Sequence, residues 1–95
     1  MSEKLTSLEV EKELGTTTGW ALDNGKLTKE WLFPDFRAAM EFVNGVAAEA
    51  KAAAHHPEIA IRYNKVMLSL VTHDSGGVTG ADFALARTLN QKFGR

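Results

Sequence analysis

Cysteine is absent, so the chain can form no disulfide framework and has no thiolate chemistry. No stretch approaches the roughly 20 apolar residues of a membrane span, and the charged start is not followed by a signal-peptide core. Charge of either sign is equally unconcentrated: 11 basic and 12 acidic residues give a net charge of −1, with no long run of like charge. An electrostatic footprint for nucleic acid or for an anionic membrane surface is therefore missing. These absences make the cytoplasm the expected location. Proline occurs only twice, and each instance marks a boundary. Histidine is scarce too, but its three copies fall into one arrangement, His55-His56-Pro57 followed by Thr72-His73-Asp74. Imidazole is the side chain whose unperturbed pKa lies near neutrality, so function is to be sought there.

Ninety-five residues make a single domain, 1–95, of a size that buries roughly 60–65% of its unfolded surface. Within the first 14 residues, Thr6 and Glu9 have capping-box spacing, Leu5 and Val10 occupy staple positions, and Gly15 is a stop. Trp20 to Leu22 and Lys26 to Phe33 read as two strands joined by Asp23-Asn24-Gly25, a tight-hairpin signal. In the second strand Leu27, Trp31 and Phe33 share a face. Residues 36 to 55 are expected to form one amphipathic helix, with Phe36, Met40, Val43, Ala47, Ala50 and Ala54 at helical spacing beside Ala39 and Val46. Its opposite face carries Arg37, Glu41, Asn44, Ala48 and Lys51. Pro57 ends the helix at or just before the histidine pair.

Glu58 to Tyr63 and Lys65 to Thr72 form another strand pair that bends at Tyr63-Asn64. Val66, Leu68 and Leu70 are expected to face the helices, leaving Met67, Ser69, Val71 and His73 on the other side. After the loop Asp74 to Gly77, Thr79 caps a last helix with Asp82 at N3, Val78 and Phe83 as staple, and Phe83, Ala86, Leu89 and Phe93 as buried stripe. The expected fold is α+β: a two-layer sandwich with a four-stranded antiparallel sheet and two helices on one face, in the order β-β-α-β-β-α, behind a short N-terminal helix. The uncovered face, with Met67 and Val71, suggests association with further copies.

On this reading His55 lies in the last turn of the long helix, where the helix dipole favours a cation, and His73 lies at a strand end. Groups converging from separate segments suit proton transfer around a small ligand. Taken singly, each histidine is more often a cap or an exposed polar residue. A metal site is the weaker alternative, because the spacing matches no familiar ligand motif and cysteine is missing; no metal is expected.

The ordered set Lys51, His55-His56-Pro57, Glu58, Tyr63-Asn64-Lys65-Val66, Thr72-His73 and Asp82 resembles the signature of the pterin-4a-carbinolamine dehydratase family. Gly19-Trp20 and Phe33-Pro34-Asp35-Phe36 extend the resemblance over nearly the whole chain. It implies loss of water from 4a-hydroxytetrahydropterin to give quinonoid dihydropterin, a step of tetrahydrobiopterin recycling after aromatic amino-acid hydroxylation, without a cofactor. By position it implies His55, His56 and His73 as the catalytic histidines. Ala54, His55, His56, Val71, Thr72, His73 and Asp74 would line the pterin pocket. His55 and His73 would act as alternative general acids, and His56 would orient the pterin. Lys51 stands where many relatives place glutamate; an ammonium at i−4 would oppose the cationic form of His55. Asp82 is most simply a helix cap, and Tyr63 most simply packs at the bend. The resemblance also implies a homo-oligomer, a dimer or a tetramer built as a dimer of dimers. It further implies a second class of function, a protein-interaction module that stabilises a partner such as a transcription factor.

Overall fold

The computed structural model describes residues 3–94. Helix α1 (Ser7–Leu14) is followed by strands β1 (Ala21–Asp23) and β2 (Lys26–Leu32), helix α2 (Phe36–Ala53), strands β3 (Glu58–Arg62) and β4 (Lys65–Leu70), a 3-10 turn (His73–Ser75) and helix α3 (Gly80–Phe93). The four strands form one antiparallel sheet in the order β1-β2-β4-β3. This is the α+β sandwich expected, with β4 pairing to both β2 and β3 and β3 left at an edge.

Local chemistry sets the boundaries. Thr6 and Glu9 close the expected capping box on α1, with bonds of 2.8 and 3.1 Å. Asn24 and Gly25 both have positive φ, 50° and 75°, as the tight turn between β1 and β2 requires. Asp35 caps α2 by accepting from the Ala38 amide at 2.8 Å.

The core lies between the sheet and α2 with α3. Leu27, Trp31 and Phe33 of β2 and its end meet Val66, Leu68 and Leu70 of β4, all buried. Phe42 holds the layers together through ring contacts with Trp31, Phe33 and Phe93 at 4.8 to 5.1 Å between centroids; each large buried side chain contributes on the order of 1.5–3 kcal/mol.

Three expectations are corrected. First, the buried stripe of α2 is Ala39, Phe42, Val46 and Ala50, so the helix is rotated from the expected face, and Phe36, Ala47 and Ala54 are exposed. A helix rich in alanine offers two neighbouring stripes, and the bulk of Phe42 decides between them. Lys29 shares the core face of β2 with Leu27 and Trp31, as the alternation of that strand dictates. Its ammonium donates to Asn90 Oδ1 at 2.9 Å and sits 4.7 Å above the Trp31 ring, while Asn90 also accepts from Trp20 Nε1. Burial pushes the Lys29 pKa down. Second, β4 ends at Leu70, and His73 opens a 3-10 turn rather than ending a strand. Third, Tyr63 takes positive φ at the β3-β4 bend and is 67% exposed, so its ring is not part of the packed core.

Candidate active site

Helix α2 ends two residues earlier than expected, and its ending aims the first histidine. Ala54 adopts a left-handed conformation (φ 53°), its N–H bonds to Lys51 O, and the His55 N–H reaches back to Ala50 O at 3.1 Å. This is the paired closure of a Schellman motif, with alanine where glycine is usual. His55 therefore lies beyond the helix rather than in its last turn. The i−4 stacking that would set Lys51 against it does not arise, because that spacing holds only along continuous helix.

The turn brings His55 to the N-terminus of α3. Its Nε2 lies 2.5 Å from Asp82 Oδ1; the Asp82 side chain is fully buried and that of His55 is 18% exposed. The second oxygen of Asp82 performs the expected capping, accepting from the Thr79 amide at 2.8 Å. That oxygen also accepts from Thr72 Oγ1 at 2.9 Å. One carboxylate thus ties the end of α2, the segment after β4 and the start of α3. A capping reading finds only one of its two oxygens, and the sequence carries no signal that the other is turned toward His55.

Thr72 precedes His73 and anchors its loop. Reciprocal backbone bonds join Thr72 and Gly77 at 3.1 and 3.4 Å, and Gly76 (φ 75°) takes the left-handed position that closes the 3-10 turn. His73 and Asp74 are exposed on this loop, whereas Val71 and Thr72 are half-buried. His55 and Thr72 meet at Asp82, one on each of its oxygens, whereas His56 is exposed. From Glu58 on, β3 alternates, with Ile59 and Ile61 on the side of the helices and Glu58, Ala60 and Arg62 on the uncovered face.

A second carboxylate lies on that uncovered face. Glu58 of β3 receives two bonds from Lys26 Nζ across the sheet, at 2.9 and 3.1 Å. These bonds and the Lys26 charge hold the Glu58 carboxyl below the ordinary glutamate range, and the nearby His73 adds a smaller pull in the same direction. The expected residues Ala54, His55, His56, Val71, Thr72, His73 and Asp74 thus fall on two adjoining segments linked through Asp82. A separate cleft of about 370 Å³ lies between α1, the β1-β2 turn and Gly76 to Val78. Its lining mixes aliphatic residues with Lys4, Ser7, Glu11 and glycines, and it includes no histidine. Among the described residues no three His, Asp or Glu side chains are grouped to hold a metal ion, and no helix is long and apolar enough to cross a membrane.

A family model for pterin 4 alpha carbinolamine dehydratase matches residues 3–92. The chain belongs to this family. Proteins provisionally named as pterin-4-alpha-carbinolamine dehydratases share its length: one from Nostoc punctiforme is 44% identical over 91 residues, covering 96% of this chain and 98% of the relative. Another, from Koribacter versatilis, is 47% identical over 91 residues, covering 96% and 97%. The crystal structure of a transcriptional coactivator/pterin dehydratase from Brucella melitensis superposes with a TM-score of 0.87 at 35% identity, covering 94% of this chain and 97% of that one. The fold is therefore that of a solved member of the carbinolamine dehydratase family.

Proposed function

We propose that the protein dehydrates 4a-hydroxytetrahydropterin to quinonoid dihydropterin and water, as a step of tetrahydrobiopterin recycling, by acid-base catalysis on its histidines. The observation that carries this reading is the His55–Asp82 pair beside the segment that bears His73. In the reaction an imidazolium protonates the C4a hydroxyl, the C4a–O bond breaks as the N5 lone pair forms the C4a=N5 bond, and a base removes the N5 proton. Water leaves, and no electrons are transferred to another molecule. Each such proton transfer is worth about 10²–10⁴-fold. His55 and His73 serve as alternative general acids, His56 orients the pterin, and Thr72 and Asp74 offer hydrogen bonds to its amino-pyrimidine ring. Ala54 and Val71 contribute backbone and surface.

The test is stopped-flow dehydration of the carbinolamine by the protein and its His55→Ala and His73→Ala variants. A rate well above background, lowered at least about tenfold in each variant, is expected. Full activity in both variants excludes the assignment.

A second reading, an interaction module that stabilises a partner's oligomeric state, is favoured by the coactivator role named for the Brucella relative. The edge strand β3 begins two residues after His56, so the proposed site and the sheet edge adjoin. The edge strand also supports self-association. Every residue of β3, Glu58-Ile59-Ala60-Ile61-Arg62, is exposed. Paired antiparallel with a second copy about Ala60, this strand would set Glu58 opposite Arg62 and Ile59 opposite Ile61, twice each by symmetry. A dimer of this kind, or a tetramer built from two, would bury the edge.

A further inference from the structure

We infer that Asp82 is the positioning residue of His55: it fixes the ring as its Nε2–H tautomer and leaves Nδ1 as the atom that exchanges protons with the substrate. The pattern of hydrogen bonds points to this. The Ala81 amide donates to Thr79 Oγ1 at 3.2 Å, and the Thr79 hydroxyl proton has Thr72 Oγ1 at 2.9 Å and Asp82 Oδ2 at 3.5 Å as acceptors. Thr72 then donates its own proton to Asp82 Oδ2, where the Thr79 amide also donates. With these donors converging on Oδ2, Asp82 is held as a carboxylate that only accepts, so the proton of the 2.5 Å contact at Oδ1 comes from His55 Nε2. Among the described residues Nδ1 has no hydrogen-bond partner, yet it is not a sealed buried atom; Trp31 Nε1 is the side-chain nitrogen in that condition. Nδ1 is thus the nitrogen open to a ligand.

The same geometry dictates what an amide would do. In Asp82→Asn the oxygen must occupy the Oδ2 position, because the Thr79 amide and the Thr72 hydroxyl both point at it. The NH₂ group then faces His55 Nε2, which has to become an acceptor, and the ring proton moves to Nδ1. The helix cap survives while the reacting nitrogen changes state. This separates positioning from folding, because a residue that only capped α3 would leave the imidazole unaffected.

Two measurements test the inference; only the second rests on the proposed dehydration. Nitrogen-15 NMR of the wild-type ring, assigned with a His55→Gln variant, is expected to show the neutral imidazole protonated at Nε2, and Asp82→Asn is expected to shift it to Nδ1. A wild-type ring protonated at Nδ1 overturns the proposal whatever the substrate. In the kinetic arm, Asp82→Asn with unchanged far-ultraviolet circular dichroism is expected to lose roughly 10²–10⁴-fold in kcat, with KM within about threefold. A kcat within threefold of wild type overturns it. If Asp82→Asn does not fold, the wild-type tautomer decides alone. A wild-type protein that fails to accelerate dehydration but keeps the Nε2–H ring refutes the reaction and leaves the positioning intact.

Discussion

Ala54 carries backbone strain that its place in the site explains. A left-handed alanine costs on the order of 1 kcal/mol relative to glycine, and here it turns the chain so that the next residue meets Asp82. Ala54→Gly is expected to raise stability by about 0.5–1 kcal/mol in urea unfolding, because glycine takes the same conformation without the clash of Cβ. The β-branched Ala54→Val should lower it by more than 1 kcal/mol. Pro57 locates the end of α2 to within a few residues, since the residue before proline avoids helix. It does not reveal which residue reverses, and an alanine gives no sign of adopting a conformation that glycine favours. For the same reason the offset of His55 from the helix cannot be read in advance.

Between elements, the Lys26–Glu58 pair links β2 to β3 across the intervening β4. Its bonds depress the Glu58 pKa, so the folded state holds the carboxylate more tightly than the unfolded chain does. The stabilisation is full above the unfolded value, about 4.3, and is lost as pH falls through the lower folded value. The stability difference between the wild type and Lys26→Met is therefore expected to be constant near neutrality and to shrink toward zero below about pH 4; chemical denaturation over an acidic pH series measures it. Elements of this kind divide by legibility. The capping boxes at Thr6 and Thr79 and the Asn24-Gly25 turn are visible because their chemistry is local. The rotation of α2 and the burial of Lys29 are not. They involve partners distant in sequence: Phe42 meets Phe93, and Lys29 meets Asn90, partners that both lie on α3.

At the scale of the whole molecule, the covered face of the sheet forms the core and the uncovered face and β3 edge remain available. If β3 pairs with its counterpart about Ala60, Arg62→Glu places two like charges opposite each other at both ends of the new ladder. Sedimentation of this variant is expected to show a clear shift toward monomer, partly reversed by adding Glu58→Lys; an unchanged mass would exclude this edge as the contact. The four-strand architecture and the histidine segments were legible because periodicity and turn residues recur along the chain. The convergence of those segments on one carboxylate was not, since His55 and Asp82 are 27 positions apart and only the packed helices bring them together.

The two oxygens of Asp82 have separate duties. In this chain the start of the last helix depends on Oδ2 whether or not the reaction is kept. The imidazole has no such second duty: losing His55 leaves the capping box intact. If the proposed chemistry holds, loss of the aspartate would therefore cost both fold and reaction, whereas loss of its histidine partner would cost the reaction alone.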